Sequence, residues 1–250
     1  VDLMEKYGAD TLRWYFYTHT IPGEPKAFDE ADLGKAMRKF ILLAYNSYLF
    51  FETYGKKSSL TELPSKLPLL DRWALARLQE TVSKATSSLE KYDIGSAGKE
   101  LESFVDDLSR WYIRRSRRRF QKPEDLKDFE TASMTLRHLL AEFSKLLAPF
   151  TPFFAEALYQ SLGNKASVHL EDWPKKDTRF MDSGLVSKMA IVRDIASKVL
   201  ALRASAGIKV RQPLRALEIN TKKLDVLDQE FFNILKDEIN VKAARINLSL

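Results

Sequence analysis

Residues 101 to 120 read Leu-Glu-Ser-Phe-Val-Asp-Asp-Leu-Ser-Arg-Trp-Tyr-Ile-Arg-Arg-Ser-Arg-Arg-Arg-Phe. Apolar side chains recur in this stretch at spacings of three and four, which is the pattern of one buried helical stripe. They are Leu101, Phe104, Val105, Leu108, Trp111 and Tyr112. Six arginines and no acidic residue follow between Arg110 and Phe120. The stretch therefore predicts a helix that packs in a core and ends in a strongly basic surface.

The arginines divide between two faces of this helix. At about 100° per residue, Arg115 and Arg119 continue the buried stripe, while Arg110, Arg114 and Arg117 lie on an outward face. An unpaired charge is too costly to bury in apolar packing. We therefore expect the inward arginines either to meet carboxylates or to border a groove.

Composition limits the classes of function. The chain has 250 residues, of which 45% are hydrophobic, and its 40 basic against 34 acidic residues give a formal charge of +6. This mild excess suits a polyanionic partner. The sequence lacks cysteine, which excludes disulfides and thiolate metal sites, and its three histidines are widely scattered. The short, interrupted apolar runs predict no membrane span.

Helical periodicity recurs along most of the chain. Apolar residues repeat at spacings of three and four in each segment, and stretches rich in Pro, Gly or Ser separate the segments. The predicted helices cover residues 10–18, 29–54, 69–92, the arginine-bearing segment up to 122, 124–147, 152–163 and 182–206. We predict Asp10 as the N-cap of the first helix, and Thr151 as an N-cap followed by Pro152. The fold class is thus mainly α, an antiparallel helical bundle.

Strand signals appear only near the end of the chain. After an extended connector at 167–174, residues 207–214 alternate apolar and basic side chains and lead into a predicted strand at 214–220. A helix at 225–236 and a strand at 241–248 would complete a small C-terminal α+β subdomain. Lys209 and Arg211 are expected to project from one side of an extended segment. They either contact a partner or protect a strand edge from aggregation.

The residues indicate a nucleic-acid surface more than a catalytic site. We find no glycine-rich phosphate loop, metal-ligand spacing or nucleophile with its base, and we interpret His19, His138 and His169 as surface or packing residues. Arginine pairs bidentately with phosphate and stacks on bases, and Phe120 adds a flat ring. Trp111 and Tyr112 lie on the core stripe and are expected to pack. Asp106 and Asp107 are interpreted as helical ion-pair partners of Arg110 and Arg114.

Six segments in this order resemble isoleucyl-tRNA synthetases. The segments are 7–13 (Tyr-Gly-Ala-Asp-Thr-Leu-Arg), 70–73 (Leu-Asp-Arg-Trp), 108–120, 147–153 (Leu-Ala-Pro-Phe-Thr-Pro-Phe), 167–174 (Ser-Val-His-Leu-Glu-Asp-Trp-Pro) and 207–214 (Gly-Ile-Lys-Val-Arg-Gln-Pro-Leu). The first, the fourth and parts of the second also resemble valyl and leucyl synthetases. The arginine block and the run at 209–214 are what resemble the isoleucyl enzymes.

The resemblance implies the anticodon-binding region of a class I synthetase, with the catalytic domain elsewhere in the same chain. It implies no catalytic residue, cofactor or metal in this fragment, whereas the full-length enzyme would use ATP and magnesium to join isoleucine to its tRNA through an aminoacyl adenylate. Matching segments carry a tRNA-contact role to the arginine block and to Lys209 and Arg211. We therefore expect nine tRNA-binding residues: Arg110, Arg114, Arg115, Arg117, Arg118, Arg119, Phe120, Lys209 and Arg211.

The resemblance also orders the chain into regions. Residues 1–28 would end the catalytic or stem-contact region, 29–164 would form the anticodon-binding bundle, and 165–250 a connector with the α+β junction. The cysteine-rich zinc module of some relatives is missing here, and because the chain begins at Val1 within a helical sequence we expect a piece of a longer, cytoplasmic and monomeric protein. The alternatives are the equivalent valyl domain, a stand-alone RNA-binding helical protein and a protein-interaction module whose arginines meet acidic partners.

Overall fold

The computed structural model describes residues 2–19, 28–56, 63–219 and 227–246. The chain forms two compact units, Val1–Met181 and Asp182–Leu250. The connector that the sequence assigned to the second region belongs to the first unit. Its Trp173 Nε1 donates to Thr86 Oγ1 at 2.8 Å, and the amide of Asp177 donates to Gln79 Oε1 at 2.7 Å. These bonds attach the connector to the helices of the first unit.

The first unit is helical, as the periodicity predicts. Its helices are α1 (Asp2–Tyr7), α2 (Ala9–Thr18), α3 (Glu30–Ala36), α4 (Leu42–Tyr54), α5 (Leu69–Leu89), α6 (Ile94–Asp107), α7 (Arg114–Gln121), α8 (Leu126–Leu147) and α9 (Pro152–Ser161). A short 3₁₀ turn, Val168–Leu170, lies in the segment predicted to be an extended connector, and a second one, Thr178–Phe180, follows that segment. Within the described residues, no helix has the length and apolarity that crossing a bilayer requires.

Two π-helical segments interrupt otherwise continuous helices. Met37–Ile41 joins α3 to α4, and Leu108–Ile113 joins α6 to α7. A π-helical turn inserts residues without ending the helix, so the face that is buried shifts along the sequence. Beyond Leu108–Ile113 the fully buried positions are Ser116 and Phe120. A regular α-helix would have buried Arg115 and Arg119 instead.

Aromatic rings fill the core of the first unit. Trp14 of α2 stacks on Phe40 with ring centroids 3.4 Å apart, and Phe143 of α8 lies edge-on to Phe40 and tilted against Phe104. Gly98 permits α2 to approach α6, because a Cβ at this position would lie 2.3 Å from Thr18 Cγ2. The short α2 segment is therefore an integral part of the helical core.

The second unit is a small α+β structure. It contains α10 (Ser183–Ser205), β1 (Leu214–Ile219), α11 (Gln229–Ile239) and β2 (Val241–Ile246). The strands pair in parallel, with Leu214 opposite Val241, and α11 forms the crossover between them. The helix predicted at 225–236 begins only at Gln229 because Asp228 caps it by accepting from the Glu230 amide. Residues 220, 225–226 and 247–248 of the predicted elements lie outside the described residues.

Asp10 caps a helix, but not the helix that the sequence suggested. It lies in the first turn of α2, after Gly8, and its Oδ2 accepts from the amide of Phe154 at 2.6 Å. That amide is the third of α9, a position usually satisfied by the N-cap residue. Thr151 holds the N-cap position with Pro152 as the first helical residue, as predicted, yet its side chain does not cap the helix. Burial raises the pKa of the Asp10 carboxyl.

We predict that Asp10→Ala lowers the free energy of unfolding by about 0.5–2 kcal/mol, because it removes the cap of α9. Urea denaturation measures the loss. Asp10→Asn retains an acceptor oxygen and should lose less, and Thr151→Val is the matched control at the formal N-cap. A larger loss for Thr151→Val than for Asp10→Ala would contradict the assignment of the cap to Asp10.

Candidate nucleic-acid interface

The arginine block occupies the end of one continuous helix, which consists here of the π-helical segment Leu108–Ile113 and α7. Arg110, Arg114, Arg117 and Arg118 are exposed, whereas Arg115 and Arg119 are half-buried. The side chains of Arg110 and Arg118 are 66% and 78% exposed. The outward face predicted for Arg110, Arg114 and Arg117 is confirmed, and Arg118 joins it.

The aromatic residues of this stretch are packed. Trp111 and Tyr112 are buried, as expected, and so is Phe120, which is only 4% exposed. The Phe120 ring meets Phe50 at 5.1 Å and Phe129 at 6.2 Å between centroids. The expectation that Phe120 offers a stacking face to a base is wrong for this conformation, because the π-helical segment turns the residue into the core.

Arg119 meets carboxylates, which is the first of the two outcomes expected for an inward arginine. Its Nη1 and Nη2 donate to both oxygens of Asp71 at 2.8 and 2.7 Å. Its Nε and Nη2 donate to both oxygens of Asp128 at 2.8 and 2.7 Å. The Tyr112 hydroxyl donates to Asp71 Oδ1 at 2.7 Å. One guanidinium thus connects the start of α5, the end of α7 and the start of α8.

The electrostatics of this cluster follow from burial. Asp71 is fully buried, so its charge requires the neighbouring guanidinium. The two carboxylates outweigh desolvation and raise the pKa of Arg119 further above its usual range. Burial, together with the negative charge of Asp71, raises the pKa of Tyr112 well above 10. The phenol therefore stays protonated and remains a donor.

Another guanidinium, the buried one of Arg77, joins α5 to α6. Arg77 donates to Asp107 Oδ2 at 2.8 Å, to Glu100 Oε1 at 2.6 Å and to Ser103 Oγ at 3.0 Å. Asp107 therefore does not serve only as a helical partner of nearby arginines, as the sequence suggested. Asp106 does so, with Oδ1 3.1 Å from Arg110 Nε. Sequence reasoning missed both Asp71 and Arg77. Asp71 was missed because an acid near a helix start usually complements the helix dipole at the surface.

The exposed arginines have weak local partners. Arg118 pairs with Glu124, and both side chains are more than three-quarters exposed. Arg114 Nε donates to the carbonyl of Arg110 at 2.8 Å, and the Arg115 guanidinium lies 5.5 Å from the Trp111 ring centroid. Exposed ion pairs are worth only about 0–1 kcal/mol. Phosphate oxygens can therefore replace such partners at little cost.

Lys209 and Arg211 lie in the second unit, in a turn rather than an extended strand. The Gln212 amide donates to the Lys209 carbonyl at 3.0 Å, and β1 begins only at Leu214. The prediction that these residues lie in an extended segment is therefore wrong. Both are nevertheless exposed.

The histidines occupy structural positions in the described chain. His169 Nε2 lies 3.2 Å from the Pro152 carbonyl, and His19 Nε2 lies 3.5 Å from Asp32 Oδ2. Burial lowers the pKa of His138, whose ring faces Phe180 at 6.1 Å. No group of His, Asp and Glu suited to a metal ion occurs among residues 2–19, 28–56, 63–219 and 227–246.

Comparison with known proteins places this geometry in a family. Residues 71–218 match the family model described as the anticodon-binding domain of tRNA ligase. The chain belongs to this family. The match begins at Asp71, the buried carboxylate that Arg119 holds, and includes the whole arginine block and the turn of Lys209 and Arg211.

Relatives of this anticodon-binding domain are considerably longer. The chain is 40% identical to an isoleucine-tRNA ligase of Dehalococcoides mccartyi, 41% to that of Deinococcus radiodurans and 39% to that of Thermus thermophilus. These alignments cover 96–98% of the chain but only 23–25% of each relative. The chain therefore spans about a quarter of the length of the curated relatives that it matches.

A solved structure supports the fold. The chain is similar to a protein chain in the crystal structure of the ternary complex of Agrobacterium radiobacter K84 agnB2 LeuRS-tRNA-LeuAMS, with a TM-score of 0.53 and 20% sequence identity. The match covers 72% of the present chain and 21% of the chain in that structure. The mainly helical fold predicted from the sequence is thus confirmed.

For this anticodon-binding domain we predict that Arg119→Met lowers the free energy of unfolding by about 3–5 kcal/mol, because Asp71 is left buried without its cation. Urea denaturation checks the loss. Arg118→Met, one residue earlier, breaks only an exposed pair and should lose less than about 1 kcal/mol. Similar losses in the two variants would show that Arg119 does not compensate a buried charge.

The Tyr112 phenol should make stability depend on alkaline pH. Its pKa is raised in the folded state, so its contribution is complete below pH 10 and is lost as the pH rises through the folded value. We expect the unfolding free energy of the wild type to fall above pH 10. Tyr112→Phe should fall less steeply, by up to about 1.4 kcal/mol per pH unit. Parallel curves for the two proteins between pH 9 and 11 would contradict the shift.

Proposed function

We propose that the chain is the anticodon-arm-binding part of an isoleucine-tRNA ligase, and that the exposed arginines of the α7 end contact tRNA phosphates. The observation that carries the proposal is the division within the arginine block. Arg119 is saturated by Asp71 and Asp128, whereas Arg110, Arg117 and Arg118 remain exposed to solvent. In this proposal Arg119 and Phe120 support the surface from within and do not contact tRNA directly.

The spacing of the exposed arginines suits a phosphate backbone. Arg114 and Arg117 lie three residues apart in α7, which is about 4.5 Å along the helix axis, and the exposed Arg110 lies four residues earlier, in the π-helical segment. Each guanidinium can pair bidentately with phosphate oxygens or stack on an unpaired base. Arg115 adds a half-buried cation beside the Trp111 ring. Its contact with tRNA would need a small rotation of the side chain.

The position of the block suits a contact far from the chemistry of a ligase. Helix α2 packs on α6 near Gly98, and the arginines between 114 and 118 follow 16 to 20 residues later on the continuous helix. At 1.5 Å per residue this is about 25–30 Å along the axis. In the whole protein, catalysis with ATP and magnesium, through an isoleucyl adenylate, would take place outside this chain, and this domain would position the tRNA.

The proposal for the whole protein has further parts. The identity of about 40% with isoleucine-tRNA ligases supports isoleucine rather than valine as the amino acid. The protein would act as a monomer in the cytoplasm, and Lys209 and Arg211 would provide a second contact with tRNA from the other unit.

We expect Arg117→Ala combined with Arg118→Ala to weaken binding of isoleucine tRNA about tenfold or more, because two charged contacts of roughly 1 kcal/mol each are lost. The slope of log affinity against log salt should become shallower by about 0.7–0.9 for each phosphate contact. A filter-binding or anisotropy titration at several salt concentrations measures both. Lys175→Ala combined with Lys176→Ala is the matched control, since both lysines are exposed on the connector.

The same titration separates the competing functions. Loss of affinity when the isoleucine anticodon is replaced by a valine anticodon supports the isoleucine assignment, whereas tighter binding of the valine form would favour a valyl domain. Equal affinity of the arginine and lysine double variants would contradict a specific arginine surface. Failure of the folded wild type to bind tRNA at low salt would favour a protein-interaction module.

A further inference from the structure

Arg203 is a buried cation near the end of α10. Only 3% of its surface is exposed, and its guanidinium donates to backbone carbonyls. The Nη2 atom donates to the carbonyl oxygens of Lys209 at 2.6 Å, Val210 at 3.2 Å and Gln212. The Nη1 atom donates to that of Ile239 at 3.3 Å. Burying a guanidinium is costly, so this arrangement calls for a role beyond filling space.

Three of the four carbonyls that Arg203 holds, those of Lys209, Val210 and Gln212, belong to one turn. Gly207, with φ of +68°, ends α10 and reverses the chain, and the Gln212 amide closes the turn onto Lys209. From the other side, Asn240 Nδ2 donates to the Val210 carbonyl at 2.9 Å. The turn at 209–212 is thus fastened by its backbone from two elements, α10 and the junction of α11 with β2.

Fastening the backbone leaves the side chains of the turn outside. Lys209, Val210 and Arg211 are all exposed, although the carbonyls of the turn face the buried guanidinium. Two cations are therefore presented on a backbone that has lost much of its conformational freedom. Fixing a contact in advance reduces the entropy lost on binding.

We propose that Arg203 is a positioning residue, which holds the turn at 209–212 so that Lys209 and Arg211 contact the phosphate backbone of tRNA. This inference rests on the proposed function, since it needs tRNA as the partner. The proposal explains why a buried cation, Arg203, lies six residues before the exposed Lys209 and eight before the exposed Arg211. Arg203 itself touches no tRNA and acts only through the shape of the turn.

Lysine cannot replace arginine in this role. An ammonium group on a single stem cannot reach the carbonyls of Lys209, Gln212 and Ile239 together, as the planar fork of a guanidinium does. Arg203→Lys therefore keeps the charge of the protein unchanged while loosening the turn. Asn240→Gly is a second, independent variant: glycine accepts the φ of +52° at this position but loses the bond to Val210.

The test is a thermodynamic cycle on tRNA affinity in the whole protein. We expect Lys209→Ala with Arg211→Ala to weaken binding about tenfold, and Arg203→Lys to weaken it about three- to tenfold in the wild-type background. In the background of the double variant, Arg203→Lys should have less than a twofold further effect, because the contacts that it positions are already absent. Asn240→Gly should follow the same pattern with a smaller effect.

Hydrogen exchange provides the second readout. The amides of Gln212 and Leu214 should exchange faster in Arg203→Lys, while amides in the middle of α10 should keep their protection. Lys198→Ala, on the same helix and paired with the exposed Asp194, is the control and should change neither exchange nor affinity by more than twofold.

The outcomes separate this inference from the proposed function. The inference alone would be overturned if Arg203→Lys had equal effects in both backgrounds. It would also be overturned if the Lys209 and Arg211 variants had no effect on tRNA binding while the Arg117 and Arg118 variants weakened it. No tRNA binding by the folded wild-type protein would overturn both. If Arg203→Lys unfolds the second unit, the Asn240→Gly variant provides the test. The inference would be overturned if Asn240→Gly left tRNA affinity unchanged, or weakened it equally with and without the Lys209 and Arg211 substitutions.

Discussion

The carboxylate of Asp71 imposes the main constraint on the bundle. It is fully buried at the start of α5, and a buried charge is tolerated only when it is paired and hydrogen-bonded. Arg119 and Tyr112 provide these bonds, and Asp128 holds the same guanidinium from α8. Three helix ends are thereby fixed at one place. The outward arginines of α7 lie on a helix that cannot turn about its axis without breaking this cluster.

Much of the fold follows from the sequence, because helical periodicity is strong where one face is buried. Leu69–Leu89 and Ser183–Ser205 lie within the ranges predicted from apolar spacing. The site was less predictable. The π-helical segment Leu108–Ile113 carries no sequence signal that we can name, yet it decides that Phe120 is buried. A prediction of the buried face at 100° per residue across this segment is therefore wrong by one position, giving Arg115 and Arg119 where the structure buries Ser116 and Phe120.

Long-range polar contacts are the other part that the sequence does not reveal. Asp10 looks like a local N-cap, but it caps a helix 144 residues away. Asp107 looks like a surface partner, but it holds the buried Arg77. Likewise, the alternation of residues 207–214 suggests a strand, whereas Arg203 draws the carbonyls of Lys209 and Gln212 into a turn. In each case a hydrogen bond made by a side chain outweighs the local preference, because satisfying a buried polar group is worth more than propensity.

Each unit has an inward-facing guanidinium, that of Arg119 or of Arg203, and exposed basic residues nearby in sequence, but the two guanidinium groups differ in their hydrogen-bond acceptors. Arg119 is neutralised by two carboxylates, so removing it leaves a buried negative charge, and its loss should be felt by the whole bundle. Arg203 bonds to backbone carbonyls, which carry only partial charge and can turn to water when the guanidinium leaves. Its loss should therefore be local to the turn at 209–212. This difference makes the first guanidinium chiefly a determinant of stability and the second chiefly a determinant of how a contact is presented.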